Sequence, residues 1–165
     1  MKNYKSWSGL NKQLTEQLCE SLRHRITYFM TRYHKVHNSY GRASILLDGK
    51  ELVIFSWTEM YKQEQDTYKR WEETGDLGLW GAGAEGKMES GSRFFRLWFS
   101  RGSNRLLQLP IQKALFSENY IIRIFAIMDK RVGKRTLEAI RKSEEYKSYP
   151  LWVRQFYELR LGENQ

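Results

Sequence analysis

Gly81-Ala82-Gly83-Ala84-Glu85-Gly86 matches the letters G-x-G-x-x-G, whose backbone amides cradle a pyrophosphate when the run closes a strand-to-helix turn. The context argues against that use. Asp76 to Trp80 is a short, glycine-interrupted approach rather than a buried strand, and no acidic residue follows at the spacing that would hold a ribose. Gly133-Lys134-Arg135-Thr136 has the ending of a nucleoside-triphosphate loop, but that loop needs glycine where Met128 stands and Ser or Thr where Arg135 stands. What remains at this second site is an electropositive helix start. Lys134 and Arg135 open a helix behind Gly133, with Lys130 and Arg131 just before it, so side chains and helix dipole together invite an anion. The competing reading is structural: Asp129 and glutamates of neighbouring helices pair with these cations and tie the junction down. Arg123, inside an apolar run, calls for such pairing, because a buried guanidinium is tolerated only when partnered.

Other reactive types are thinly spread. His34 and His37 point to opposite faces of an extended segment and have no third ligand nearby, so no metal site is expected. His24 is alone, and Cys19 has no identifiable histidine partner. The four aspartates stand at 48, 66, 76 and 129, and a turn accounts for the first. No catalytic set and no cofactor follow from these residues. From Arg25 to Lys35, the interleaving of Arg25, Tyr28, Arg32, Tyr33, His34 and Lys35 could stack bases and hold phosphates, although such alternation more often marks a half-buried strand with one wet face.

The elements that must position these groups follow from periodicity. Leu10, Leu14, Leu18 and Leu22 recur at four-residue steps, predicting an amphipathic helix over about 9–23 that Ser8 could cap. A strand over 25–36 follows. Asp48-Gly49, between Ala43 to Leu47 and Leu52 to Phe55, predicts a tight type I′ hairpin, which completes a three-stranded meander. Ser56-Trp57-Thr58-Glu59 reads as a capping box opening a helix over 57–74. Residues 75–92 carry six glycines and predict a long mobile loop. The rest reads as helical: a segment over 93–101, a short helix after Pro110, an almost wholly apolar one from Ile121 to Met128 that Ser117 could cap, one over 134–142 after Gly133, and a last one opened by Pro150.

Composition bounds the remaining possibilities. A chain of 165 residues suits one domain, and six Trp, ten Tyr and eight Phe supply enough large rings for a core. Lys and Arg number 28 against 19 acidic residues, and the resulting net charge of +9 favours polyanionic partners. One cysteine excludes an intramolecular disulfide and a cysteine-built metal cage, which points to the cytoplasm. The first residues lack a signal peptide's apolar stretch, and no run approaches a membrane span, so no membrane partner is expected.

Three stretches carry a resemblance. They are Lys5-Ser6-Trp7-Ser8 leading into the leucine-rich helix, Ile121 through Leu137, and Tyr149-Pro150 through Phe156-Tyr157-Glu158-Leu159-Arg160. Through them the chain resembles an uncharacterised family of small bacterial cytosolic proteins. The glycine-rich middle lies outside the likeness. The resemblance implies a bacterial or phage cytoplasmic origin and transfers no catalytic residue.

The sequence thus predicts a single α+β domain, with the meander and N-terminal helix packed against a mainly helical C-terminal half. The functional expectation is a non-enzymatic binding protein that contacts a nucleic-acid backbone through Lys130, Arg131, Lys134 and Arg135. One alternative is a protein-interaction module, such as an inhibitor, immunity factor or regulatory partner, anchored by aromatics near Trp80 and Trp98. The other is an enzyme whose acid-base site is assembled only in three dimensions.

Overall fold

The computed structural model describes residues 6–31, 42–56 and 103–162. The helix expected over 57–74, the glycine-rich loop over 75–92, the helix over 93–101 and His34 and His37 lie outside the described residues.

Helix α1 spans Trp7–Gln17 and buries Leu10 and Leu14. Its cap is Ser6 rather than Ser8: the Ser6 hydroxyl accepts from the Gly9 amide at 3.4 Å, and Ser8 falls inside the first turn. The helix also stops earlier than the leucine spacing predicts. Leu18 adopts an extended conformation and forms an isolated antiparallel bridge with Asp129, after which a 3-10 turn over Glu20–Leu22 carries Leu22 into the core. A distant backbone pairing therefore overrides the local helical period, while every leucine of the stripe still reaches the interior.

Three strands follow, β1 (Ile26–Thr31), β2 (Arg42–Leu47) and β3 (Lys50–Ser56), and they form an antiparallel sheet in the order β1-β2-β3. Asp48 and Gly49 have φ of 49° and 80°, the two left-handed positions that a type I′ turn demands. Tyr28 pairs with Ile45, and Ile45 with Val53. A register shift between Ile45 and Leu46 marks a bulge. In β1 the alternation buries Ile26 and Tyr28 and exposes Thr27 and Phe29. Tyr28 is thus a core residue, its ring centroid 5.7 Å from that of Phe125, and it cannot stack on a nucleic-acid base. Arg25 is committed to Asp48 through a two-pronged ion pair, closest at 2.7 Å.

The helical half comprises helical residues 103–106, then α2 (Ile111–Leu115), α3 (Tyr120–Met128), α4 (Lys134–Arg141), α5 (Glu144–Lys147) and α6 (Leu151–Leu161). Residues Ile121 to Met128 of α3 are all buried, as an all-round apolar helix must be. Its cap is Asn119, whose side-chain oxygen accepts from the Ile121 and Ile122 amides, while Ser117 accepts from the Asn119 amide one step upstream. Helix α3 packs on α2 and α6, and α6 packs on α4. Gly162, at φ 89°, closes α6 in the left-handed conformation common at helix ends. The result is an α+β architecture with the meander and N-terminal helix on one side and a mostly helical C-terminal half on the other. Among the described residues no helix is long and apolar enough to cross a membrane.

Candidate functional site

The chain leaves α3 at Met128 and enters α4 at Lys134 through a five-residue junction fixed on both flanks. On one flank the Cys19 amide donates to the Met128 carbonyl at 3.0 Å, and the Lys130 amide donates to the Gln17 carbonyl at 2.8 Å. The Lys130 ammonium reaches the Glu16 carbonyl at 2.8 Å, so one side chain satisfies an acceptor that the end of α1 would otherwise leave to solvent. On the other flank the buried Arg160 of α6 donates to the Val132 carbonyl at 3.0 Å.

Asp129 organises the turn. Its side chain is fully buried and accepts three hydrogen bonds, from the Arg131 amide at 2.8 Å and from Arg131 Nε and Nη2 at 2.9 and 2.7 Å. Of the four cations singled out in the sequence, Arg131 is therefore neutralised. Lys130 gives a hydrogen bond to a carbonyl, which uses a donor but cancels no charge. Lys134 and Arg135 are exposed and have no acidic partner among the described residues. They open α4 behind Gly133, which supplies no side-chain cap, and the first turn contains no acidic residue. The junction thus combines three uncompensated cations, an uncapped helix start and a backbone tied down at both sides.

A second feature lies near the other end of α3. A pocket of about 350 Å³ is lined by Glu118, Tyr120, Arg123, Glu145, Ser148, Tyr149 and Pro150. The short helix α5, capped by Ser143 on the Tyr146 amide, brings Glu145 and Tyr149 to it. Arg123 Nε donates to the Ser117 carbonyl at 2.9 Å, and the guanidinium carbon sits 4.4 Å from the Tyr149 ring centroid and 5.6 Å from that of Tyr120. The Tyr149 hydroxyl donates to Glu145 at 2.8 Å. Burial, reinforced by this bond and opposed by the Arg123 charge, pushes the Tyr149 phenol up to about 12, so it remains a donor at neutral pH. Beside it, burial first and the hydrogen bond to Glu158 second hold the Tyr146 phenol above its ordinary value.

The pairing foreseen for Arg123 is present, with Glu145 as its carboxylate at 3.6 Å. The pocket itself was missed because α5 was missed. A signal existed: Ser143 ahead of Glu144 and Glu145, with Lys147 at the end, is a one-turn helix carrying an N-cap and the charge order its dipole favours. No group of three His, Cys, Asp or Glu able to hold a metal occurs among the described residues, and Cys19 is buried with its sulfur 3.4 Å from the Ser21 hydroxyl.

Fold and site together define a small α+β protein built around a central apolar helix with a charged feature toward each end. The chain belongs to the SF0329 protein family, whose model matches residues 6–161. The match reaches from the N-terminal helix to α6, so its span includes the middle segment that the sequence resemblance left out. Neither a curated protein nor a solved structure matches the chain.

Proposed function

We propose that this protein is a non-enzymatic binding protein that contacts a nucleic-acid backbone at the α3–α4 junction. Lys130, Lys134 and Arg135 supply the charge, and Arg131 shapes the turn through Asp129. The observation that supports this most directly is the pair Lys134 and Arg135, exposed and uncompensated on the first turn of an uncapped helix. Phosphate oxygens are the natural acceptors for such a constellation, since backbone amides and cations converge there. The overall charge of +9 extends the attraction beyond the contact residues. The rigid junction adds preorganisation: little ordering entropy is lost when an anion docks.

The test is a salt-titrated binding measurement of the full chain against short single- and double-stranded DNA and RNA, run beside a Lys134→Ala/Arg135→Ala variant. The wild type is expected to bind with sub-millimolar Kd at moderate salt. For duplex DNA the variant should lose roughly two units from the slope of log K against log salt, since each phosphate contact contributes about 0.9. Absence of binding, or equal slopes for the two proteins, overturns the reading.

A further inference from the structure

Arg123 is out of place by composition, because every other buried residue of α3 is apolar. A guanidinium only 4% exposed is retained where its donors are used. Nε is used, on the Ser117 carbonyl. Nη1 is buried and has no hydrogen-bond partner among the described residues. The Glu145 carboxylate stands 3.6 Å from it, an ion pair but too long for a hydrogen bond. Glu145 is itself 61% exposed, and its Oε1 also accepts from the Tyr149 hydroxyl at 2.8 Å. A buried donor without a hydrogen bond and a half-exposed carboxylate therefore line one pocket of about 350 Å³.

The volume lies at the small end of ligand pockets, which run from roughly 300 to 1,000 Å³. The charges narrow the ligand further. A polyanion would meet Glu145 and Glu118, and a simple cation would meet Arg123. A molecule carrying one charge of each sign satisfies both, and the faces of Tyr120 and Pro150 offer apolar surface to whatever joins them. We propose that this pocket binds a small zwitterion of the α-amino-acid type, its carboxylate accepting from Arg123 Nη1 and its ammonium held by Glu145. The site is separate from the nucleic-acid junction and does not depend on it.

The experiment is calorimetric titration of the full chain with the common L-amino acids, one at a time. The best binder is then compared with its amide, which lacks the carboxylate, with its des-amino acid, which lacks the ammonium, and with inorganic phosphate. At least one amino acid should bind with Kd below about 1 mM, and both truncated analogues should bind at least about tenfold more weakly. Glu145→Gln keeps an acceptor for the Tyr149 hydroxyl but removes the counter-charge of the buried Arg123, so it should unfold at lower denaturant than the wild type, stay folded under the titration conditions and lose discrimination against the des-amino analogue. The Lys134→Ala/Arg135→Ala variant should bind the amino acid as the wild type does, which separates this site from the junction. The assignment is overturned if no amino acid binds, if the amide binds as well as the acid, if phosphate is preferred, or if Glu145→Gln discriminates unchanged.

Discussion

Asp129 joins two roles at one side chain. Its buried carboxylate holds the turn through three hydrogen bonds from Arg131, and in doing so it removes one positive charge from the surface that would meet a phosphate. Asp129→Asn tests both at once. Loss of the charge-assisted bonds should lower unfolding stability by about 1–3 kcal/mol, measured by chemical denaturation. Freed from its counter-charge, Arg131 should then strengthen nucleic-acid binding and steepen the salt slope by about one unit. A variant that is less stable yet binds no more tightly would mark the junction as purely structural. Sequence reasoning anticipated that Asp129 would pair with a neighbouring cation, but not that Arg131 alone would be taken while Lys134 and Arg135 stay exposed. Which cation a carboxylate captures depends on the backbone path between them, and here the bridge to Leu18 sets that path.

Among the elements, the locally encoded ones were legible and the others were not. The Asp48-Gly49 hairpin could be read because two adjacent residues with left-handed φ specify it without help from the rest of the chain. The end of α1 could not, since Leu18 leaves the helix to bridge Asp129, far along the chain, and a 3-10 turn follows. In β1 alternation alone does not say which face is wet, and it is packing on Phe125 that turns Tyr28 inward, away from any base. The cap of α3 was misplaced by two residues because Ser117 and Asn119 are both good caps, and Asn119 is the one whose oxygen meets the helix amides. Asn119→Ala should therefore cost about 1 kcal/mol of stability in a denaturation experiment. Ser117→Ala should cost less, because it leaves the helix amides capped.

At the scale of the whole molecule, the buried phenols make stability fall at alkaline pH. Burial raises Tyr28, Tyr146, Tyr149 and Tyr157 above the ordinary value of 10.0, with Tyr149 reaching about 12. The unfolded chain releases these protons first, so their contribution is complete below about pH 10 and declines as pH climbs toward the folded values. The urea midpoint should accordingly fall once pH exceeds about 10, and Tyr149→Phe should make that fall shallower. The described architecture also carries a schedule. The bond from Lys130 to the end of α1 joins residues 114 apart in sequence, and without it and the neighbouring backbone pairing α1 lacks its far-end anchor. At synthesis rates of about 5–20 residues per second, the first helix waits roughly 6–23 s for that anchor to be made. Through that interval Leu10, Leu14 and Leu18 must be shielded by transient contacts or by chaperones. The nascent chain is therefore most open to aggregation while its newest residues are still being added.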